Sequence, residues 1–427
     1  MTQTIASVQD ATCSTAATAH LAVNGQRLWQ SLMDLAAIGA TPKGGNCRLA
    51  LTAEDGQGRD LVVGWMREAG LSIEVDALGN IFGRRAGRNP ALPPVMTGSH
   101  IDTQPTGGKF DGCYGVMAGL EVMRTLQEQG ITTEAPLELA IWTNEEGSRF
   151  LPVMMGSGVF TGRFTLEQAL QATDTQGLSV REELVKVGYA GTAPVGGRPV
   201  GAYFEAHIEQ GPVLEAEDIT IGAVTGSLGV RWYTITVEGM EMHAGPTPMP
   251  VRKDALYAAS FIVQSVIEIA RAHPSSGRGT VGVMQVGPGS RNVIPGTVSF
   301  TVDLRHLDAQ VLREMDAQFQ ARCHAVAAEH GVRIDIREDQ YNPPTPFDTD
   351  LVNKVRAGAQ QRGLSVLDMP TGAGHDAVHM ADVCPTAMIF VPCKDGISHN
   401  EIEDAKPEHL EAGCNVLLDA MVARANA

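Results

Sequence analysis

Residues 222–337 contain four predicted strands and two predicted helices in the order strand, helix, strand, strand, helix, strand. The first strand alternates apolar and polar residues, and the second helix is long and amphipathic. The segments are, in order, GVRWYTITVEG, KDALYAASFIVQSVIEIARAH, GTVGVMQVG, GTVSFTVDLRH, AQVLREMDAQFQARCHAVAAEHG and VRIDIRE. This order is that of a split βαβ unit, so we expect a ferredoxin-like α+β domain with its helices on one face of the sheet.

The residues on either side of this domain alternate predicted helices with predicted strands. DLVVGWMREAG and YGVMAGLEVMRTLQEQG have helical spacing and end in glycine, whereas PPVMTGSH and LELAIWTNEEG are apolar strands with polar C-terminal ends. This is an α/β pattern, in which sites form beyond the C-terminal ends of strands. We predict a larger α/β domain from residues 1–221 and 338–427, with a central mixed sheet flanked by helices. The domain at 222–337 is then an insertion, and EDQYNPPTP is the return linker.

The charge balance and the cysteines restrict the partners and the compartment. Lys and Arg total 32 against 49 Asp and Glu, which gives a formal net charge of −17. No basic cluster is present to bind phosphates, so we expect neither nucleic acid nor membrane as a partner. The seven cysteines include no C-x-x-C pair, and the N-terminal 20 residues show neither a basic segment nor a long apolar run. We therefore expect reduced thiols and a cytoplasmic protein.

Polar residues next to glycines recur in five distant segments, of which MEMHAGPTPM contains His243 and the other four contain candidate metal ligands. The candidates are His100 and Asp111 in TGSHIDTQPTGGKFDG, Glu146 in NEEGSRF, His207 in EAHIEQGP and His399 in GISHNE. Each alone is more simply explained as a hydrogen-bonded structural histidine or a solvated acidic loop. Together they supply imidazole and carboxylate, the ligands of Zn²⁺, in a number that serves two ions only if one carboxylate bridges them. The sequence therefore predicts two divalent metal ions, with Zn²⁺ expected and Mn²⁺, Co²⁺ or Ni²⁺ compatible.

Asp111 has one predicted task, and Glu145 and Glu146, which are adjacent to each other, have two others. Asp111 is expected to bridge the ions because it heads a helix and is followed by glycine, which allows an ion to approach closely. Adjacent carboxylates repel, so keeping both ionised requires a nearby cation. We expect Glu146 to bind metal and Glu145 to act as general base toward the attacking water, the alternative being an exposed acidic turn. Asp102 is expected to orient the ring of His100 or the side chain of Glu145.

Eight motifs resemble those of the N-carbamoyl-L-amino acid amidohydrolases, and they occur in the same order from about Gln26 to about Glu411. These enzymes belong to the dinuclear-metal aminoacylase-type metallopeptidase superfamily. β-Ureidopropionase and allantoate amidohydrolase are related enzymes of the same group. The motifs are GSHIDT, KFDGCYGV, NEEGSRF, HIEQGP, HAGPTPM, RNVIPG, GAGHDA and GISHNE. The resemblance implies one metal held by His100, Asp111 and His207, and the other by Asp111, Glu146 and His399. It also implies that the larger domain is catalytic, with Glu145 as its base.

The same resemblance gives the inserted domain a function. In this family the domain is a lid that also forms the dimer interface, so we expect a homodimer. His243, in HAGPTPM, is implied to reach the scissile carbonyl in the partner subunit's site, although this chain has Pro246 where relatives often have threonine. Asn292, in RNVIPG, carries an amide that can donate to a developing oxyanion.

Four further residues are candidates for binding the substrate. In TVSFTVDLRH the apolar side chains of Val298, Phe300, Val302 and Leu304 share one face. Arg305 then lies on the polar face, where its guanidinium can hold a substrate carboxylate by two bonds, the alternative being an ion pair with Asp303. Gln210 is expected to hydrogen-bond the ureido group, and Gly374 and His375 of GAGHDA are expected to line its pocket.

The implied reaction is hydrolysis of an N-carbamoyl amino acid, a small ureido acid, to the amino acid, CO₂ and ammonia. Allantoate or a related ureide is the alternative substrate, and the sequence leaves open whether the amino acid is α or β. A different class of protein, a catalytically silent one stabilised by metal, is disfavoured because the complete ligand set is accompanied by Glu145.

Overall fold

The structure, a computed structural model, describes residues 21–427. The predicted lack of a leader segment and the thiol of Cys13 lie outside the described residues. The helices are α1 (Gly25–Ala36), α2 (Ala53–Glu68), α3 (Cys113–Glu128), α4 (Met155–Phe160), α5 (Leu166–Gln171), α6 (Val180–Lys186), α7 (Val213–Ala216), α8 (Ala255–Arg271), α9 (Ala309–His330), α10 (Thr349–Gln361), α11 (Asp376–Met380) and α12 (Pro407–Ala425).

The strands of the described residues are short in the first half of the chain and longer near its middle. They are β1 (Ser72–Val75), β2 (Ile81–Arg85), β3 (Val95–His100), β4 (Leu137–Trp142), β5 (Ala202–Ile208), β6 (Ile221–Ser227), β7 (Gly229–Glu238), β8 (Met242–His243), β9 (Arg278–Thr280), β10 (Met284–Gly287), β11 (Val293–Ile294), β12 (Thr297–His306), β13 (Arg333–Asn342), β14 (Thr345–Pro346), β15 (Val366–Thr371) and β16 (Thr386–Val391).

Contacts divide the described chain into two compact units. The first consists of residues 21–223, 350–367 and 388–427, and the second of residues 224–349 and 368–387. The domain boundaries expected from the sequence, at 222 and 337, remain predictions.

The first unit contains a sheet in which β1, β2, β4, β3 and β5 lie side by side in that order, followed by residues 388–391 of β16. β3 runs parallel to both β4 and β5, whereas β2 is antiparallel to β4. Every residue of β3, β4 and β5 is buried, which is typical of strands covered on both faces. α3 and α12 pack against β3 and β5, and α4 packs against β4. The predicted central mixed sheet flanked by helices is confirmed.

The second unit has a five-stranded antiparallel sheet of order β10-β12-β7-β13, with β9 beside β12. Alternate residues of β12 are buried, as the sequence predicted for Val298, Phe300, Val302 and Leu304. These side chains pack in one core with the buried faces of α8 and α9. The strand order is that of the predicted ferredoxin-like α+β fold, because each helix carries the chain across one intervening strand: β12 lies between β7 and β10, and β7 lies between β12 and β13.

Two predicted strands differ in detail from the structure. GTVGVMQVG forms two strands instead of one, because residues 281–283 lie opposite only two residues of β12 and the extra residue interrupts the pairing. VRIDIRE continues beyond its predicted end as β13, so the expected linker at 338–346 is partly strand. β13 skips Asp339 between the pairs of Glu338 and Gln340, which ends the apolar alternation while the pairing continues.

Among residues 21–427, no helix has the length and apolar character needed to cross a membrane. The six cysteines of this range are free thiols, five of them buried.

Candidate metal centre

The ends of three parallel strands place most of the candidate ligands. His100 is the last residue of β3, and His207 is the next-to-last residue of β5. Glu145 and Glu146 follow the end of β4 by three and four residues. Because parallel neighbours present their C-terminal ends at the same edge of a sheet, residues distant in sequence meet there.

The first group of ligand atoms comes from His100, Asp111 and His207, which are all buried and lie within 4.8 Å of one another. Nε2 of His207 is 3.2 Å from Oδ1 of Asp111, and Nε2 of His100 is 3.9 Å from the same oxygen. Nδ1 of His100 is 2.8 Å from the carbonyl of Asp102, and Nδ1 of His207 is 2.9 Å from that of Ile208. Since a carbonyl only accepts, each Nδ1 carries hydrogen and Nε2 is the atom available to a metal.

The second group comes from Asp111, Glu146 and His399. Nε2 of His399 is 3.2 Å from Oδ2 of Asp111 and 3.4 Å from Oε2 of Glu146. The side chain of His399 is 52% exposed, so this side of the centre is open to solvent. Each carboxylate oxygen of Asp111 therefore faces a different group of ligands, as a bridging carboxylate would.

Gly112 lies between Asp111 and α3 in a conformation with φ +64°. A Cβ atom added there would lie 2.3 Å from Nε2 of His100. The glycine thus leaves open the atom of His100 that would hold a metal, and any other residue would both strain the turn and fill this space.

The pKa shifts show that the carboxylates and imidazoles of the cluster interact strongly with one another. Burial and the neighbouring Asp111 raise the pKa of Glu146 to about 8. Burial by itself would raise the pKa of Asp111 and lower that of His207, but their mutual hydrogen bond lowers the former well below its usual range and raises the latter to about 9. The hydrogen bond to Asp111 also raises the pKa of His399 to about 9. A divalent cation would displace these protons and let every ligand bind in its usual form, so the residues fit a metal centre.

Asp102 holds the turn that carries the two adjacent glutamates. Its Oδ1 accepts the backbone N–H of Glu145 and its Oδ2 that of Glu146, both at 3.2 Å. Its side chain stays 3.9 Å from the ring of His100. Oε2 of Glu145, a side chain 10% exposed, lies 3.4 Å from Nε2 of His100. Asp102 thus contacts both predicted targets, the backbone of Glu145 through its carboxylate and the ring of His100 through its carbonyl, and its role remains a prediction.

Gln210 also contacts the centre. Its Nε2 donates to Oδ2 of Asp111 at 2.9 Å and to Oγ of Ser398 at 3.2 Å. Its Oε1 is buried and has no hydrogen-bond partner among the described residues. This oxygen is therefore an acceptor for a ligand N–H.

Three residues of the centre were missed by the sequence reasoning. Gln104 donates to Oε2 of Glu146 at 2.6 Å, Ser398 lies 2.9 Å from Oδ2 of Asp111, and Glu403 accepts the N–H of Asp111 at 3.2 Å. Gln104 and Ser398 lie near proposed site residues in sequence, which is a usable signal. Glu403 is 292 residues from Asp111, and its segment gives no spacing that would indicate the contact.

The second unit brings His243 and Asn292 together. Val293 pairs with His243 between the short strands β8 and β11, and the N–H of Ala244 donates to the carbonyl of Asn292 at 2.8 Å. His243 is exposed, and its Nδ1 accepts the N–H of Gly245 at 3.1 Å. Its Nε2 is thus directed away from this turn contact.

The remaining candidates of the second unit lie on the strand β12 and near α11. Arg305 donates through Nε and Nη2 to Asp303, at 2.7–3.1 Å, so the ion pair considered as the alternative is present. Its Nη1 donates to the carbonyl of Gly372 at 2.7 Å. Gly374 is exposed, whereas His375 is buried with Nε2 3.0 Å from the hydroxyl of Thr371. Binding of substrate by these residues remains a prediction.

Comparison with known proteins identifies the family. The model of peptidase family M20/M25/M40 matches residues 96–423, which include the strands and ligands described above. The chain belongs to the M20/M25/M40 peptidase family.

Several proteins similar to this chain are named amidohydrolases. An N-carbamoyl-L-amino-acid amidohydrolase of Rhizobium meliloti is 47% identical over 94% of this chain and 96% of its own length. An allantoate amidohydrolase of Bacillus subtilis is 36% identical over 91% of this chain and 94% of its own length. The crystal structure of an amidase of the hydantoinase/carbamoylase family from Burkholderia multivorans is 57% identical, with a TM-score of 0.93 over 95% of this chain and 99% of that one. The predicted class, a hydrolase of amide or ureide C–N bonds, is confirmed, and its family is metal-dependent.

Proposed function

We propose that the chain hydrolyses N-carbamoyl amino acids to the amino acid, CO₂ and ammonia. The observation that carries the proposal is Asp111, whose two carboxylate oxygens face two separate groups of ligands beside the buried Glu145. A substrate with a ureido group is supported by the name of the relative that is 47% identical, and allantoate by the name of the one that is 36% identical. The higher identity favours the N-carbamoyl amino acid.

We infer that the centre holds two divalent ions, with Zn²⁺ favoured by the three imidazole ligands. His100, Asp111 and His207 would hold one ion, and Asp111, Glu146 and His399 the other. Ions in these positions would supply Lewis acidity and would lower the pKa of the attacking water.

The residues of the chain would move the proton and orient the reactants. Glu145 would accept a proton from the attacking water and return it to the leaving nitrogen. Asp102 would hold Glu145 in place through the backbone N–H that it accepts. His243 and Asn292 would donate to the carbonyl oxygen as negative charge develops on it.

The substrate would be held at its two ends. The unpaired Oε1 of Gln210 would accept an N–H of the ureido group, next to the oxygen of Asp111 that its Nε2 contacts. Arg305 would bind the substrate carboxylate, with Gly374 and His375 lining the pocket. In the ion pair with Asp303 the guanidinium is held in a fixed plane, which lowers the entropic cost of binding a carboxylate.

We also propose a cytoplasmic homodimer in which the second unit is the lid and the dimer surface. Six large apolar side chains are exposed within one stretch of that unit, which is typical of a surface that a partner covers. They are Met240, Met242, Met249, Val251, Leu256 and Tyr257. The free cysteines support a reducing compartment.

The proposed function is tested by ammonia release from purified protein loaded with Zn²⁺, Mn²⁺ or Co²⁺. The panel contains N-carbamoyl-α-amino acids, N-carbamoyl-β-alanine and allantoate, and chelated protein is the control. We expect turnover of the N-carbamoyl-α-amino acids and none after chelation. Faster turnover of allantoate would replace the proposed substrate, and full activity of metal-free protein would overturn the metal-dependent mechanism.

His399→Ala is expected to reduce the bound metal from two ions per chain to one, because only the second ligand group contains this imidazole. Metal content after gel filtration measures this, and His324→Ala, an exposed histidine on α9, is the control that should keep both ions. Retention of two ions by the His399 variant would show that His399 is not a ligand.

Arg305→Lys is expected to raise KM for N-carbamoyl amino acids by about tenfold or more, because an ammonium lacks the fork that binds both carboxylate oxygens. KM for the corresponding carboxamides should change much less. Arg313→Lys, on the exposed side of α9, is the control. An equal change for both kinds of substrate would show that Arg305 acts only through its ion pair with Asp303.

A further inference from the structure

Glu403 is a buried carboxylate that hydrogen-bonds the backbone of the segment carrying Asp111. Its side chain is 1% exposed, and its Oε1 accepts the backbone N–H of Phe110 at 2.9 Å and of Asp111 at 3.2 Å. A Cβ atom at Gly108 would lie 2.0 Å from this carboxyl, so the backbone closes tightly around it. One oxygen of Glu403 therefore fixes the loop from which Asp111 projects.

The other oxygen of Glu403 competes with Asp111 for a single hydrogen. Oγ of Ser398 lies 2.8 Å from Oε2 of Glu403 and 2.9 Å from Oδ2 of Asp111. A hydroxyl has one hydrogen to donate, so it can satisfy only one of these oxygens at a time. Oδ2 of Asp111 is also the oxygen nearest to His399, on the side of the second ligand group.

We propose that Glu403 is a positioning residue that accepts the hydroxyl hydrogen of Ser398 and so leaves Oδ2 of Asp111 available to the metal of the second ligand group. This inference rests on the proposed function, since it assumes a metal at Asp111, Glu146 and His399. An oxygen that accepts a hydrogen bond from Ser398 has less electron density to give to a metal. With Glu403 as acceptor, the hydroxyl adds no second hydrogen bond to the one that Oδ2 of Asp111 already accepts from Gln210.

Replacement of Glu403 by glutamine separates its two tasks. The amide oxygen can still accept the two backbone N–H groups, but the amide nitrogen faces Ser398 as a donor. Ser398 must then turn its hydrogen to Oδ2 of Asp111. The loop stays supported while the hydrogen bond moves onto the proposed metal ligand.

The test is a titration of metal-free protein with Zn²⁺ in competition with a chromophoric chelator, which gives a separate affinity for each ion. The affinity that is lost in His399→Ala is the one that belongs to the second ligand group. Glu403→Gln should lower this affinity by about 10- to 100-fold and leave the other within about threefold. Glu401→Gln is the matched control, since it removes a carboxylate from the same segment as Glu403. The carboxylate of Glu401 forms an ion pair with Lys43 at 3.3 Å. It should bind both ions as the unsubstituted protein does.

Removing the hydroxyl distinguishes positioning from general support of the loop. In the Glu403→Gln, Ser398→Ala double variant the misdirected hydrogen is absent, so the lost affinity should largely return. Ser398→Ala alone should bind both ions within about threefold, because its hydrogen lies on Glu403 in the unsubstituted protein. This single variant decides the question if Glu403→Gln does not fold.

Three results would overturn the inference: unchanged affinities in Glu403→Gln, a loss at both sites that Ser398→Ala does not restore, or a tenfold loss in Ser398→Ala alone. These are read against an unsubstituted protein that binds two ions. If that protein binds two ions but releases no ammonia from any ureido acid, the proposed substrate fails while the inference about metal binding stands.

Discussion

Glu145→Gln is expected to lower kcat by about 10²- to 10⁴-fold while the protein keeps both metal ions, because an amide cannot accept the proton of the attacking water. The turn that carries residue 145 should stay in place, since the backbone N–H of this residue still donates to Asp102. KM should change little, because Glu145 is not proposed to bind the substrate before reaction. The measurement is steady-state ammonia release together with metal content.

The neighbouring glutamate provides the contrast for this prediction. Glu146→Gln should lose metal from the second group, because Oε2 of Glu146 faces His399 at 3.4 Å. Glu167→Gln, an exposed residue of α5, should change neither property. If Glu145→Gln lost metal and kept turnover, the roles of the two adjacent glutamates would have to be exchanged.

The same pair of substitutions also separates an enzyme from a metal-stabilised protein without activity. A silent protein would need its ligands for stability, so Glu146→Gln would lower its free energy of unfolding, but Glu145→Gln would have no functional consequence. In an enzyme, Glu146→Gln should lower the free energy of unfolding and Glu145→Gln should lower turnover. The two residues are adjacent, but Glu145 faces His100 and Glu146 faces His399.

Much of the fold was predictable because strands and helices of this chain keep their ordinary periods. Alternation in β12 gave its buried face, and the order of elements in residues 229–342 gave the ferredoxin-like topology. The interruptions were not predictable, because an extra residue in a strand changes its partner and leaves its composition unchanged. At Asp339 the pairing with β7 continues past the apolar alternation, since the skipped residue bonds Thr234.

The ligands of the centre were predictable for a different reason: imidazole and carboxylate beside glycine at strand ends is an unusual combination. Their supporting residues were not, because a buried glutamate is recognised only by what surrounds it. Glu403 follows His399 by four residues in a polar loop, and the sequence does not show that its carboxyl lies 2.9 Å from the N–H of Phe110. The pattern thus indicated which side chains meet at the candidate metal centre, while the contacts that orient them depend on packing.

His243→Ala is expected to lower kcat by about 10²- to 10³-fold with both metal ions retained, because His243 is proposed to donate to the oxyanion from the partner subunit. The exposure of its ring supports this role. The contact with Gly245 uses only Nδ1 of His243, so Nε2 is not needed to stabilise the loop of His243 itself. The first measurement is the kcat of the single variant, with His324→Ala of α9, an exposed histidine, as the control.

Complementation shows on which subunit His243 acts. Glu145→Ala and His243→Ala chains are each nearly inactive, and they are unfolded and refolded together in equal amounts. In a mixed dimer, one site has an intact Glu145 of its own chain and an intact His243 from the other chain, so about a quarter of all sites should regain activity if pairing is random. Each variant refolded alone is the control. If mixed dimers form, as shown by two different affinity tags, and activity does not return, then His243 serves its own chain and the proposed exchange between subunits is wrong, because within one chain neither variant can supply both groups.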